Sequence, residues 1–162
     1  MIWVVRLIML GVGLTLLVLL AAQLGLFQGQ APGDLGVRDG RLKPPSRTPN
    51  SVSSQADLYP EHPQLAYARI EPLPMPGDAR QTMARLQGVV GAMRGARIVE
   101  QKDDYLYARF TTPLMRYVDD VEFWLDPVAQ VVQVRSASRL GHGDLGLNRK
   151  RVEQIRAALA SP

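Results

Sequence analysis

The chain has 162 residues, room for one ordinary domain with appendages, and 46% of them are hydrophobic, enough to fill a core. With no cysteine and two histidines it excludes disulfides, thiolate metal sites, cysteine nucleophiles and cysteine lipidation, and it argues against a His-rich zinc site. The formal charge of +4 comes from 19 Lys and Arg set against 15 Asp and Glu spread along the chain, which is too diffuse for a nucleic-acid footprint.

The first pattern is an uncharged run over residues 7–27, opening at Leu7 and closing at Phe27. As a helix it spans roughly 31 Å, the thickness of a bilayer's hydrocarbon core. A cleaved signal peptide has a shorter apolar region ending in a small-x-small site, and Leu20-Ala21-Ala22 matches that poorly. The run is apolar on every face, unlike a surface helix of a soluble domain. It is therefore expected to be a single-pass anchor in contact with lipid. Arg6 and the amino terminus favour a cytoplasmic N-terminus, which puts the rest of the chain on the non-cytoplasmic side. Arg38, Arg41, Lys43 and Arg47 beyond the span pull the other way.

Residues 28–66 contain six prolines and no sustained period, the signature of an irregular, extended linker. Within it, Thr48 to Gln55 reads either as a polar lip over a site or as a turn-rich connector packed along a sheet.

The domain proper is expected over residues 67–162. Tyr67-Ala68-Arg69-Ile70-Glu71 is a short strand candidate, closed by Pro72, Pro74 and Pro76. Asp78 can cap a helix whose stripe is Ala79, Met83, Leu86, Val90 and Met93, with Gly95 as its stop. Four alternating strands follow, over 97–101, 105–111, 118–126 and 129–137. In the third, Val121, Phe123 and Leu125 share one face while Asp120, Glu122 and Trp124 share the other, which carries enough charge to be solvated. A last helix over 147–160 buries Val152, Ile155 and Leu159. The predicted fold is α+β: about five antiparallel strands in β-α-β-β-β-β-α order, with two helices packed on one face.

Between the last strand and the last helix lies Gly141-x-Gly143-x-x-Gly146. A dinucleotide fingerprint needs a second parallel strand with an acid about 20 residues on. Here only 16 residues follow Gly146 and the preceding strand belongs to a meander, so no nucleotide site or other cofactor is expected. An anion at this helix start is conceivable on backbone N–H groups. Yet Arg149, Lys150 and Arg151 occupy the first turn, where each cation costs about 0.3–1 kcal/mol. Acidic company is required, from Asp119, Asp120, Asp144 or Glu153, from a bound anion, or from a partner's acidic patch. A metal site built on Asp119, Asp120, His142 and Asp144 is weakened because adjacent strand residues face opposite ways. A triad of His142 with Ser53, Ser136 or Ser138 lacks a nucleophile elbow.

Three stretches together resemble the family known as domain of unknown function 1499. They are Pro49-Asn50-Ser51-Val52-Ser53-Ser54, the run from Phe110 through Arg116-Tyr117-Val118-Asp119-Asp120-Val121-Glu122-Phe123, and the stretch from Arg135 to Arg151. The resemblance covers roughly residues 33–160. The family pattern has cysteine where this chain has Ser51, and another a few residues earlier, near Pro45, so a thiol-based role is not available here. The resemblance implies a domain identity and no mechanism.

The functional expectation is a membrane-anchored, non-enzymatic module for an anionic or lipid-like ligand or a partner protein, with no catalytic residues and no metal. The candidate polar cluster is Asp119, Asp120, Arg135, Ser136, Ser138, Arg139, Asn148, Arg149 and Arg151. The alternative is a hydrolase-like enzyme pairing His142 with a nearby carboxylate.

Overall fold

The structure, a computed structural model, describes residues 1–161. In chain order it contains α1 (Ile2–Gln23), β1 (Ser51–Ser53), a 3-10 turn (Ala56–Leu58), α2 (Leu65–Ala68), α3 (Ala79–Ala92), β2 (Ala96–Gln101), β3 (Tyr105–Thr111), β4 (Val118–Asp126), β5 (Val131–Ser138) and α4 (Leu147–Ala160). The fold is α+β, with one five-stranded antiparallel sheet in the order β1-β5-β4-β3-β2.

Period-two alternation fixes which side chains each strand buries. Leu106, Ala108 and Phe110 of β3, Val121, Phe123 and Leu125 of β4, and Val132 and Val134 of β5 point to one face. There they meet Met83, Leu86 and Val90 of α3 and Val152, Ile155 and Leu159 of α4. Asp78 caps α3 by accepting from Gln81 N at 2.7 Å. Ala79, expected in the buried stripe, is exposed. Gly95 turns the chain into β2 at φ +80°, and a Cβ there would lie 2.4 Å from the Thr111 carbonyl, so no larger residue fits.

The expected first strand over residues 67–71 is corrected. Residues 65–68 form the single-turn helix α2, and Arg69 makes only an isolated parallel bridge to Ser53. The sheet's edge is instead β1, drawn from the segment read as linker, with Val52 opposite Ser136.

The second correction concerns the sheet's other face, which is covered rather than solvated. Tyr105, Tyr107, Asp120, Glu122 and Arg135 on that face are all buried. The proline-rich stretch after α1 lies across them, and Leu42 packs on Tyr105 and Tyr107 with Leu35, Val37 and Trp124 alongside. Gln55 fastens this strap by accepting from Leu42 N at 2.8 Å and donating to the Gly40 carbonyl at 2.9 Å. The domain is thus three layers: helices, sheet and strap.

The helix α1 starts and ends earlier than the expected span. Arg6 lies inside it, 5.2 Å from the Trp3 ring, and the helix stops at Gln23, with Leu24–Phe27 in a turn. At 22 residues it is long and apolar enough to cross a membrane, and its residues from Ile2 to Val18 are exposed.

Candidate functional site

The nine residues of the candidate cluster fall into two groups on opposite faces of the sheet, plus one outlier. The division follows from pleating: Asp119 faces α4, and Asp120 faces the strap.

On the helix face, Arg151 reaches down from the first turn of α4. It donates to Asp119 Oδ2 at 2.5 Å, to Asn148 Oδ1 at 2.7 Å and to Ser136 Oγ at 3.1 Å. Its guanidinium also stands 4.6 Å from the Phe110 ring centroid, a cation–π contact. The Asn148 amide donates to Ser138 Oγ and to the Asn50 carbonyl, both at 3.0 Å. The loop before α4 closes the arrangement. Asp144 accepts from Gly146 N and Asn148 N at 3.0 Å, and from the hydroxyl of Tyr67. Burial works to raise the Asp144 pKa, but these donors outweigh it and hold the carboxyl below its ordinary value. The acid that the basic first turn requires is therefore supplied within the chain. Asp144 sits where an anion would bind the helix start, and Asp119 neutralises Arg151. Arg149 lies apart, donating to the Tyr67 and Arg69 carbonyls.

On the strap face, Arg139 grips Asp120 with two bonds, at 2.8 and 2.7 Å, while Tyr107 donates to the same carboxylate at 2.5 Å. Burial, then the contact with Asp120, pushes the Tyr107 phenol up to about 12. Beside this pair, Glu122 Oε1 accepts from Gly36 N and Tyr105 Oη. Arg135 stands 3.5 Å from Glu122 Oε2 and donates through Nε to the Pro44 carbonyl. Desolvation raises Glu122 despite these partners. Ser51, one of the positions that the family pattern fills with cysteine, instead accepts a hydrogen bond from Ser46 N at 2.7 Å.

His142 is exposed on the loop before α4 and makes no hydrogen bond among the described residues. It has no carboxylate or nucleophile in reach, so this geometry lends the hydrolase alternative nothing. Nor do three His, Asp or Glu side chains converge as metal donors among the described residues.

Sequence reasoning missed the residues at the end of the sheet where α1 joins. Gln23, the last residue of α1, donates to the Leu114 carbonyl in the β3–β4 loop at 3.1 Å. Phe27 packs on Tyr117 with ring centroids 6.0 Å apart. Around this junction Leu114, Tyr117, Leu140, Leu145 and Leu147 are all exposed. Four of them, Tyr117, Leu140, Leu145 and Leu147, line a cleft of about 260 Å³. Thr112 also lines it, and its buried hydroxyl has no partner among the described residues. Leu145 is fully exposed at φ +53°, a left-handed backbone that costs a non-glycine residue about 1–2 kcal/mol. The available signal was the trio Leu140, Leu145 and Leu147 set among turn glycines, where exposed leucine has no packing reason.

Fold and site together define a small α+β domain, carried by a helix able to cross a membrane, with buried ion-pair clasps on both faces of its sheet and an apolar cleft beside the helix. The chain matches the family described as protein of unknown function DUF1499 over residues 41–159, most of its length, and it belongs to that family. No curated protein and no solved structure matches it.

Proposed function

We propose that the protein is a single-pass, non-enzymatic binding module of the cell envelope whose domain rests on the bilayer by its leucine-rimmed end and takes a membrane lipid as its ligand. The observation that carries this reading is the junction itself. Gln23 and Phe27 hold the end of α1 against Leu114 and Tyr117, so the bilayer that α1 enters lies next to Leu140, Leu145 and Leu147. A monomeric domain in water has no reason to keep a fully exposed leucine in a left-handed backbone conformation. At a lipid surface the same residue gains about 25 cal/mol for each Å² of apolar area removed from water.

The domain belongs on the non-cytoplasmic side in this reading, because Arg6 in the first turns of α1 favours a cytoplasmic N-terminal end of the helix. A membrane-impermeant thiol reagent applied to a Val128→Cys variant in right-side-out vesicles checks this, since the chain has no other cysteine. Labelling is expected there, and labelling confined to inverted vesicles contradicts it.

The ligand is tested by native mass spectrometry of the full chain gently released from membranes. Retained lipid is expected on the unaltered chain and lost from a Leu140→Ser/Leu145→Ser variant. Equal retention by both, or none by either, overturns the reading.

A further inference from the structure

A second cleft, of about 380 Å³, opens on the strap face of the sheet and is lined by Lys43, Arg47, Arg135 and Arg139 with Asp120 as its only carboxylate. Two of these cations are already engaged. Arg139 is bound to Asp120, and Lys43 to Asp34 at 2.6 Å. Arg135 is partly engaged, 3.5 Å from Glu122 and bonded through Nε to the Pro44 carbonyl, and Arg47 is not engaged among the described residues. Arg47 is exposed and makes no hydrogen bond or ion pair among the described residues. Arg135 is 4% exposed, yet among the described residues its Nη1 has no hydrogen bond, and Glu122 Oε2, 3.5 Å away, is equally without one.

A buried guanidinium N–H left without an acceptor is unfavourable, because it has lost its water without gaining a partner. The chain has nevertheless placed Arg135 in the wall of the same cleft as Arg47. Glu122, the neighbour of Arg135, faces it at 3.5 Å without closing a hydrogen bond, and burial works to raise the Glu122 pKa. We infer that this cleft is a binding site for a phosphate-type anion, held between Arg135 and Arg47. Arginine forks suit that chemistry, presenting paired donors to the oxygens of a tetrahedral anion.

The cleft also lies where a lipid headgroup would be. Gln30 and Pro32, a few residues beyond α1, form part of its wall. The lipid arm of the inference rests on the membrane-anchored reading, while the anion site itself does not.

The test uses the full chain in two settings. In neutral detergent, inorganic phosphate is titrated and followed by calorimetry. In nanodiscs of equal phosphatidylcholine and phosphatidylglycerol, the lipids retained after extraction are weighed by native mass spectrometry. Retention of phosphatidylglycerol over phosphatidylcholine assigns the site to a lipid headgroup. Saturable phosphate binding with equal retention of the two lipids assigns it to free phosphate. In either case Arg47→Gln, an exposed change that leaves the fold intact, is expected to weaken binding about tenfold, and Arg135→Gln to weaken it at least as much. No phosphate binding together with no lipid preference overturns the inference, as does binding unchanged in Arg47→Gln. Loss of anion binding with the leucine-dependent lipid retention intact sinks this site alone. The reverse result sinks the leucine-rimmed cleft and leaves this site standing.

Discussion

The side-chain amide of Gln23 donates to the carbonyl of Leu114 at 3.1 Å, so the helix able to cross a membrane ends on the loop between β3 and β4 rather than on a free tether. The consequence is orientation. The β3–β4 loop and the Gly141–Gly146 turn lie at the helix end of the sheet, and the β4–β5 turn with Val128 lies at the far end of the nine-residue strand β4. That strand separates the two ends by about 30 Å.

The strained leucine offers a test in which two properties move in opposite directions. Leu145→Gly relieves a left-handed backbone, and after glycine's own entropic cost the fold is expected to gain about 0.5 kcal/mol. Lipid retention is expected to fall. Denaturant unfolding and native mass spectrometry on the same preparation measure both. A loss of stability would show that Leu145 serves the fold.

The Arg151–Asp119 pair is a clasp between α4 and β4. Either Arg151→Met or Asp119→Leu leaves a buried charge without its partner and is expected to cost about 3–5 kcal/mol. The double variant should recover most of that loss, because two well-packed apolar residues replace the pair. Chemical denaturation in a double-mutant cycle reads the coupling. Additive losses would mean the two residues act independently.

Much of this was legible in the chain. The alternation of β3 and β4 and the stripe of α4 gave their limits directly, because apolar residues recur there at the period of a strand or of a helix. Pleating also showed that Asp119 and Asp120 face opposite ways, which weakened a shared metal site, although both stood in the one candidate polar cluster that the structure divides between two faces. The strap did not announce itself. Asp120, Glu122, Arg135 and Arg139 look like a solvated face until their mutual pairing is known, and only the aromatics Tyr105, Tyr107 and Trp124 on the same face hinted at a cover. β1 is three residues long, too short for alternation to register, whereas residues 67–71 alternate and yet are ruled by the turn of α2 and by Pro72.

The strap therefore behaves as core. Leu42 is buried against Tyr105 and Tyr107, and Leu42→Ala is expected to destabilise the domain by about 2–4 kcal/mol. A change below 0.5 kcal/mol in denaturant unfolding, reported by the fluorescence of Trp124, would reduce the segment to a loose linker.

The acid limb of stability should carry the mark of Asp144. Its carboxyl is held below its ordinary value in the folded state, so the unfolded chain binds protons more readily. Its contribution is fully present above the unfolded value, about pH 4, and is lost as the pH falls from there through the folded value. Asp144→Asn is expected to be less stable than the unaltered chain at pH 7 and to converge on it towards pH 3. Parallel stability curves across that range would assign the capping role elsewhere.

The account turns on which end of the domain meets lipid. A polarity-sensitive fluorophore attached through Leu145→Cys, and separately through Val128→Cys, in the full chain reconstituted into nanodiscs reads this directly. Leu145 is expected to give blue-shifted emission quenched by spin-labelled lipid, and Val128 to give emission typical of water with no such quenching. Water-like emission from both positions would contradict the account.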